Sequence, residues 1–83
     1  MAKILIYTTD YCPYCVRAKA LLQQKNVEFK EIKINSDSLR DEMIKKSGGK
    51  KTVPQIFIDD QHIGGFDDLH KLDVKKKLDD LLK

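Results

Sequence analysis

The stretch Cys12-Pro13-Tyr14-Cys15 constrains this chain more than any other, because it fixes a strand-to-helix junction and a chemistry together. Residues 3–7, just before it, form a short apolar run, in part β-branched, that reads as a buried strand. From Pro13 to about Gln24, Cys15, Ala18, Leu21 and Leu22 share one stripe, while Arg17, Lys19, Gln23 and Gln24 point elsewhere, which predicts an amphipathic helix. Pro13 falls at the first helical position, where its missing N–H is harmless and its fixed φ suits the helix. Cys12 is then the cap. It faces the free amides of Tyr14 and Cys15 and the positive end of the helix dipole, an environment that favours a thiolate. Cys15, one turn in on the same face, is expected to be more buried and able to attack a mixed disulfide formed at Cys12.

The chain has no other cysteines. A disulfide between them closes a four-residue ring and constrains the unfolded chain little, so the pair points to thiol–disulfide chemistry in a reducing compartment rather than to a secreted, disulfide-stapled domain. At 83 residues, 41% of them apolar, the chain is expected to form a single domain, 1–83, burying roughly 60–70% of its unfolded surface. The apolar run after Lys3 is too short for a signal peptide and leads into Thr8-Thr9-Asp10, and nothing approaches the roughly 20 apolar residues of a membrane span. A cytoplasmic location follows as the default. Sixteen basic and 13 acidic residues give a net charge of +3, too small and too interspersed to argue for nucleic acid. Lys75-Lys76-Lys77 reads as the solvated face of a terminal helix.

Val27 to Ile34 reads as a second strand, although Val27 and Phe29 have the opposite parity to Ile32 and Ile34, so either a bulge or an initial loop is required. Asn26 suits the left-handed stop before it. Ser36-Asp37-Ser38 begins a helix, with Ser38 and Asp41 resembling a capping box, Leu39, Met43 and Ile44 on the buried stripe, and Gly48-Gly49 at the end. Gln55 to Ile58 and Gln61 to Ile63 form a hairpin about Asp59-Asp60. Gly64-Gly65 precedes a helix start at Phe66-Asp67-Asp68, and a last helix is expected from Asp73, with Val74, Leu78, Leu81 and Leu82 on its apolar face. This order gives an α/β fold: a four-stranded mixed sheet flanked by helices on both faces. Ligands bind such sheets at the carboxyl ends of strands, where Cys12 lies.

Cys12-Pro13-Tyr14-Cys15, Thr52-Val53-Pro54 and Gly64-Gly65-Phe66-Asp67-Asp68 occur in the order and spacing of glutaredoxins. Over essentially its whole length the chain resembles a small bacterial-type dithiol glutaredoxin with a thioredoxin-like fold. With no Trp, it matches thioredoxin itself poorly. The resemblance implies a glutathione-dependent thiol–disulfide oxidoreductase acting on protein disulfides and glutathione-mixed disulfides. Cys12 would be the nucleophile and Cys15 the resolving thiol, with glutathione as reducing co-substrate and no tightly bound cofactor or metal. Partners would be glutathione and disulfide-containing proteins, ribonucleotide reductase among the candidates, and the protein would act as a monomer. Pro54 would be the superfamily's cis-proline, leaving the Val53 backbone to pair with an extended peptide. The amides of Phe66, Asp67 and Asp68 would take the γ-glutamyl carboxylate, and one acid, Asp68 by preference, the ammonium. Gly65 would allow close approach, and Tyr14 and Thr52 would flank the tripeptide. Relatives often carry a Lys shortly before the motif, whereas Thr9 stands here beside Asp10. Lys50 or Lys51 is the expected substitute for the glycine carboxylate.

Other readings compete. The cysteines could be half of a zinc site, but only His62 and His70 remain as soft partners, and both read as surface residues. The protein could carry an iron–sulfur cluster held with glutathione between two chains, a reading that the stiffening Pro13 opposes. It could also be a redoxin reduced by thioredoxin reductase, which Asp67-Asp68 after the paired glycines argues against. Phe66 could line the groove or cap the core, and Tyr11 could cover the site or face solvent.

Overall fold

A computed structural model describes residues 3–82. The elements are β1 (Ile4–Thr8), α1 (Pro13–Gln24), β2 (Lys30–Lys33), α2 (Asp37–Lys46), β3 (Gln55–Ile58), β4 (Gln61–Gly64), α3 (Phe66–Val74) and α4 (Leu78–Leu82). Strands β1 and β2 are parallel, joined by α1, while β1–β3 and β3–β4 are antiparallel, giving the order β2-β1-β3-β4. The expected mixed sheet of four strands is therefore present.

Alternation along the two central strands sorts the core onto both faces. Ile4, Ile6, Ile56 and Ile58 meet Ala18 and Leu22 of α1, Leu69 of α3, and Leu78 and Leu82 of α4. Tyr7 and Phe57 face the other way and meet Met43 of α2, with Leu5, Ile32 and Ile34 packed around them. Tyr7 and Phe57 are in edge-to-face contact, and the Tyr7 hydroxyl donates to Glu42 at 2.8 Å. Burial, with that carboxylate beside it, pushes the phenol up to about 12.

The parity conflict in the second strand resolves as a loop. Val27 and Phe29 precede β2 and pack on the α1 face, whereas Ile32 and Ile34 pack on the α2 face. Asn26 takes the left-handed conformation just past α1 (φ 58°), as expected. The cap of α2 is Ser36, not Ser38: its side chain accepts the Leu39 N–H at 3.3 Å, so the helix starts earlier than the expected box allows.

The C-terminal expectation needs the larger correction. Asp73 does not cap a helix. It lies inside α3 and pairs with Lys25 at 2.7 Å, and Asp79 meets the same ammonium at 3.1 Å, which ties the end of α1 to α3 and α4. Lys75 to Lys77 form the turn between α3 and α4 rather than a helix face. Lys76 is left-handed (φ 60°), and the Lys76 and Lys77 amides donate to Asp73 and Leu72 carbonyls. Val74 is consequently exposed, whereas Leu78 is fully buried. Leu78→Ala should lower stability by about 2–5 kcal/mol, and Val74→Ser should change it by less than about 0.5 kcal/mol. Urea denaturation checks both, and equal losses would restore Val74 to the core.

Candidate active site

The site begins where β1 ends. Tyr11 adopts a left-handed backbone (φ 60°) with its ring fully in solvent, and the turn delivers Cys12 to the N-cap of α1. There the Cys15 N–H donates to the Cys12 sulfur at 3.1 Å. Cys12 is partly exposed and Cys15 is 1% exposed, and both are free thiols. Burial, and next the hydrogen bond with Cys12, push the Cys15 thiol up to about 12, with the Thr9 amide and the Lys19 ammonium acting in the opposite direction. The pair is thus asymmetric, with one sulfur accessible at a helix terminus and its neighbour shielded behind it.

A second loop reaches the same point from β3. The Val53–Pro54 peptide bond is cis, as expected, and the Cys12 sulfur lies 3.8 Å from the Val53 carbonyl oxygen. Gln55, the first residue of β3, is buried. Its amide nitrogen donates to the Thr52 carbonyl at 2.9 Å and lies 3.3 Å from the Thr52 hydroxyl, while its oxygen meets His62 Nε2 at 2.7 Å. Gln55 therefore braces the loop before Pro54 against β4. His62 is half-buried and packs against Phe57, which corrects its assignment to the surface.

The third loop joins β4 to α3. Gly64 has φ 120°, and a Cβ there would lie about 2.8 Å from the Asp68 carboxyl carbon, so a side chain is excluded by both conformation and space. The Asp68 carboxylate accepts the Gly65 N–H at 3.2 Å and so helps to close the start of α3. Phe66 packs against the core and also borders the cleft. Its ring lies 6.4 Å from Tyr14 and stacks on His70, while the Arg17 guanidinium lies 5.4 Å from the centre of the Tyr14 ring. His70 is exposed, as expected.

Between these loops runs a groove of about 480 Å³. All nine residues expected to bind a ligand line it: Tyr14 from α1, Lys50, Thr52, Val53 and Pro54 from the loop before β3, and Gly65, Phe66, Asp67 and Asp68 from the start of α3. Gln55, His62, Ile63 and Gly64 also line it, and sequence reasoning had not assigned the first three to the site. Lys51 is not part of the lining. Buried Ser47 holds Lys50 in place by accepting its backbone N–H at 3.1 Å. Thr9 and Asp10 lie on the opposite side of Cys12, where Asp10 pairs with Lys33 at 3.1 Å. Among the described residues, no three His, Cys, Asp or Glu side chains converge as metal ligands, and no helix is long and apolar enough to cross a membrane.

The Glutaredoxin family model matches residues 4–63. Glutaredoxin 3 of Escherichia coli K12 is 60% identical over 84 aligned residues, covering all of both chains. The solution structure of a Brucella melitensis glutaredoxin is 52% identical and superposes with a TM-score of 0.87, covering 100% of this chain and 90% of that one. A buckwheat glutaredoxin–glutathione complex is 28% identical, with a TM-score of 0.89, and is matched over 98% of this chain and 76% of that one.

Only a thiolate attacks an alkylating agent. Iodoacetamide near neutral pH should therefore modify Cys12 and spare Cys15 in the folded protein. Labelling of Cys15 should accelerate as the pH rises toward 12. Peptide mass spectrometry reads this directly, and equal labelling of both thiols at neutral pH would contradict the asymmetry.

Proposed function

The chain belongs to the glutaredoxin family, and from that premise we propose that it is a glutathione-dependent thiol–disulfide oxidoreductase. Family membership carries the coarser statement, thiol oxidoreductase activity. The finer one is supported chiefly by a single observation: the Cys12 sulfur stands 3.8 Å from the Val53 carbonyl, at the edge of a groove with the polarity of a tripeptide.

Glutathione in this groove would lie extended along Val53, with its sulfur at Cys12. Its γ-glutamyl carboxylate would meet the N-terminal amides of α3 and its ammonium the Asp68 carboxylate, and the glycine carboxylate would reach Lys50. Glutathione in the buckwheat relative's complex supports the choice of ligand.

The Cys12 thiolate attacks the glutathione sulfur of a mixed disulfide. A Cys12–glutathione bond forms, and the substrate sulfur leaves as a thiolate that takes a proton. A second glutathione thiolate then attacks the bound one, giving oxidised glutathione and free Cys12. With a protein disulfide, Cys12 attacks one substrate sulfur and releases the other. Cys15 next attacks Cys12, closing the enzyme's own disulfide and freeing the first. Two glutathione molecules reopen that disulfide. The chemistry requires a reducing compartment, which favours the cytoplasm. Disulfide-bearing proteins are the macromolecular substrates, and the unit that acts is a monomer.

Cys12→Ser should abolish turnover of both substrate types. Cys15→Ser should keep turnover of glutathione-mixed disulfides and lose the dithiol route to protein disulfides. Residual activity of Cys12→Ser in a glutathione-coupled assay would reject the mechanism. Titrating the protein with glutathione should shift the Val53 and Asp68 amide resonances. Lys50→Ala should weaken binding by no more than about fivefold, since the lysine is exposed. Unmoved Val53 and Asp68 resonances would remove glutathione from this groove.

A further inference from the structure

On the side of Cys12 away from the tripeptide groove lies a second groove, of about 520 Å³, which reaches both cysteines and is bordered by Lys19 and Lys33. Sequence periodicity turns Lys19 away from the core, yet its side chain is only 27% exposed. It follows Cys15 by four residues on α1, and so lies one turn along the same side of the helix. Its ammonium is held 3.0 Å from Glu31 Oε2 on β2. The buried Thr8 hydroxyl donates to that same oxygen at 2.7 Å, and it is the first cause of the Glu31 carboxyl being held below the usual carboxylate range, with Lys19 adding to it. An ammonium pinned on a rigid helix beside a buried thiol has a consequence for the thiol.

We propose that Lys19 is a positioning residue for the second chemical step: held beside Cys15 by Glu31 and Thr8, its ammonium stabilises the Cys15 thiolate that must form before the enzyme's own disulfide closes. The proposal rests on the dithiol reading above. Cys15 needs such help because its sulfur is buried. While Cys12 is free, its hydrogen bond and charge also oppose ionisation of Cys15. Once Cys12 is bonded to substrate, both of those influences are gone. Burial then stands against the Thr9 amide and Lys19 alone. Lys19 is then one of only two groups that favour ionisation in the intermediate in which Cys15 must react. The other charged or titratable groups around this groove are accounted for: Asp10 and Lys33 neutralise each other at 3.1 Å, Glu31 is taken by Thr8 and Lys19, and the Tyr11 ring stands in solvent.

The step balances. Cys15 loses its proton, its sulfur attacks Cys12 Sγ, and the Cys12–Cys15 bond forms as the bond from Cys12 to the substrate sulfur breaks. The departing thiolate takes up one proton, so the enzyme is oxidised by two electrons and the substrate reduced by two.

The test uses 4,4′-dithiodipyridine, a small neutral disulfide whose two thiopyridone products absorb light. Mixed rapidly with the reduced protein, it should release one thiopyridone in a concentration-dependent phase as Cys12 reacts, and the second in a concentration-independent phase as Cys15 closes the disulfide. Each unit by which the Cys15 pKa rises reduces its thiolate about tenfold, while the more basic sulfur regains about threefold in nucleophilicity. Lys19→Met should therefore slow the second phase near neutral pH, by about threefold for each unit that the Cys15 pKa rises. The deficit should shrink as the pH rises, the first phase should be unchanged, and Lys19→Arg should restore the wild-type profile.

A second phase unaffected by Lys19→Met overturns the proposal. So does a slowing that is constant with pH, or one that Lys19→Arg fails to rescue, because both mark a merely structural role. Slowing of both phases together likewise overturns it. Failure of the dithiol reading looks different: the wild-type protein itself would show no concentration-independent phase, or Cys15→Ser would leave that phase intact.

Discussion

One hydrogen bond joins the fold of this protein to its chemistry. The Cys15 amide, one of the free donors that every helix start must satisfy, donates to the sulfur of Cys12. A Ser or Asp at that position would cap the helix equally well, but neither would place a thiol there. Pro13 completes the arrangement by supplying a fixed φ where no N–H is needed. The start of α1 therefore rests on the Cys12 sulfur, which leaves Cys12 at the exposed end of the helix and Cys15 buried one turn inside it.

The other two loops reach Cys12 because of strand pairing. β1 and β3 run antiparallel with Tyr7 opposite Gln55, so the carboxyl end of β1 and the loop before β3 lie at the same edge. β4 returns alongside β3 and hands over to α3 at that edge too, with a bulge at Ile63 just before Gly64. Three turns from separate parts of the sequence thus converge through backbone pairing, and the side chains they carry need only be of the right kind. Gln55 secures the convergence from below. Its buried amide has one partner in the Thr52 loop and one in β4, so burial and hydrogen bonding together hold a loop that has no regular structure of its own.

Legibility in the sequence followed the range of the interaction. The start and end of α1, the hairpin turn at Asp59-Asp60 and the stop at Gly48-Gly49 are local events, each set by the chemistry of a few adjacent residues, and all were readable. Asp73 misled because its local signal is that of a cap, whereas its partner, Lys25, lies far away in sequence. Val74 followed it into error, since a helix phased from Asp73 would have buried it. Ser36 and Ser38 both offer a hydroxyl near the helix start, and it is the Ser36 side chain that accepts a first-turn amide, that of Leu39. The residues expected to bind a ligand follow from resemblance to a family, not from periodicity, and all of them line one groove. Gln55 and His62 belong to a strand pair and carry no motif, so nothing local announced them. A polar residue opening an otherwise apolar strand was the one available hint for Gln55.

The same limit explains why the periodicity of α1 only turns Lys19 off the buried stripe and why nothing local singles out Glu31. On a helix taken alone, Lys19 lies off the buried stripe, and on β2 alone Glu31 interrupts an apolar pattern. Parallel pairing of β1 with β2 puts Glu31 opposite Ile6 and beneath α1, two residues along β1 from the Thr8 whose hydroxyl it accepts. A carboxylate in that place requires a cation, and the residue on α1 that reaches it is the one a turn beyond Cys15. The sheet and helix that bury Cys15 therefore also bring a positive charge to the groove it lines. Burial alone would leave Cys15 protected but inert. The Lys19 ammonium acts against that burial, lowering the cost of ionising a thiol that burial pushes up.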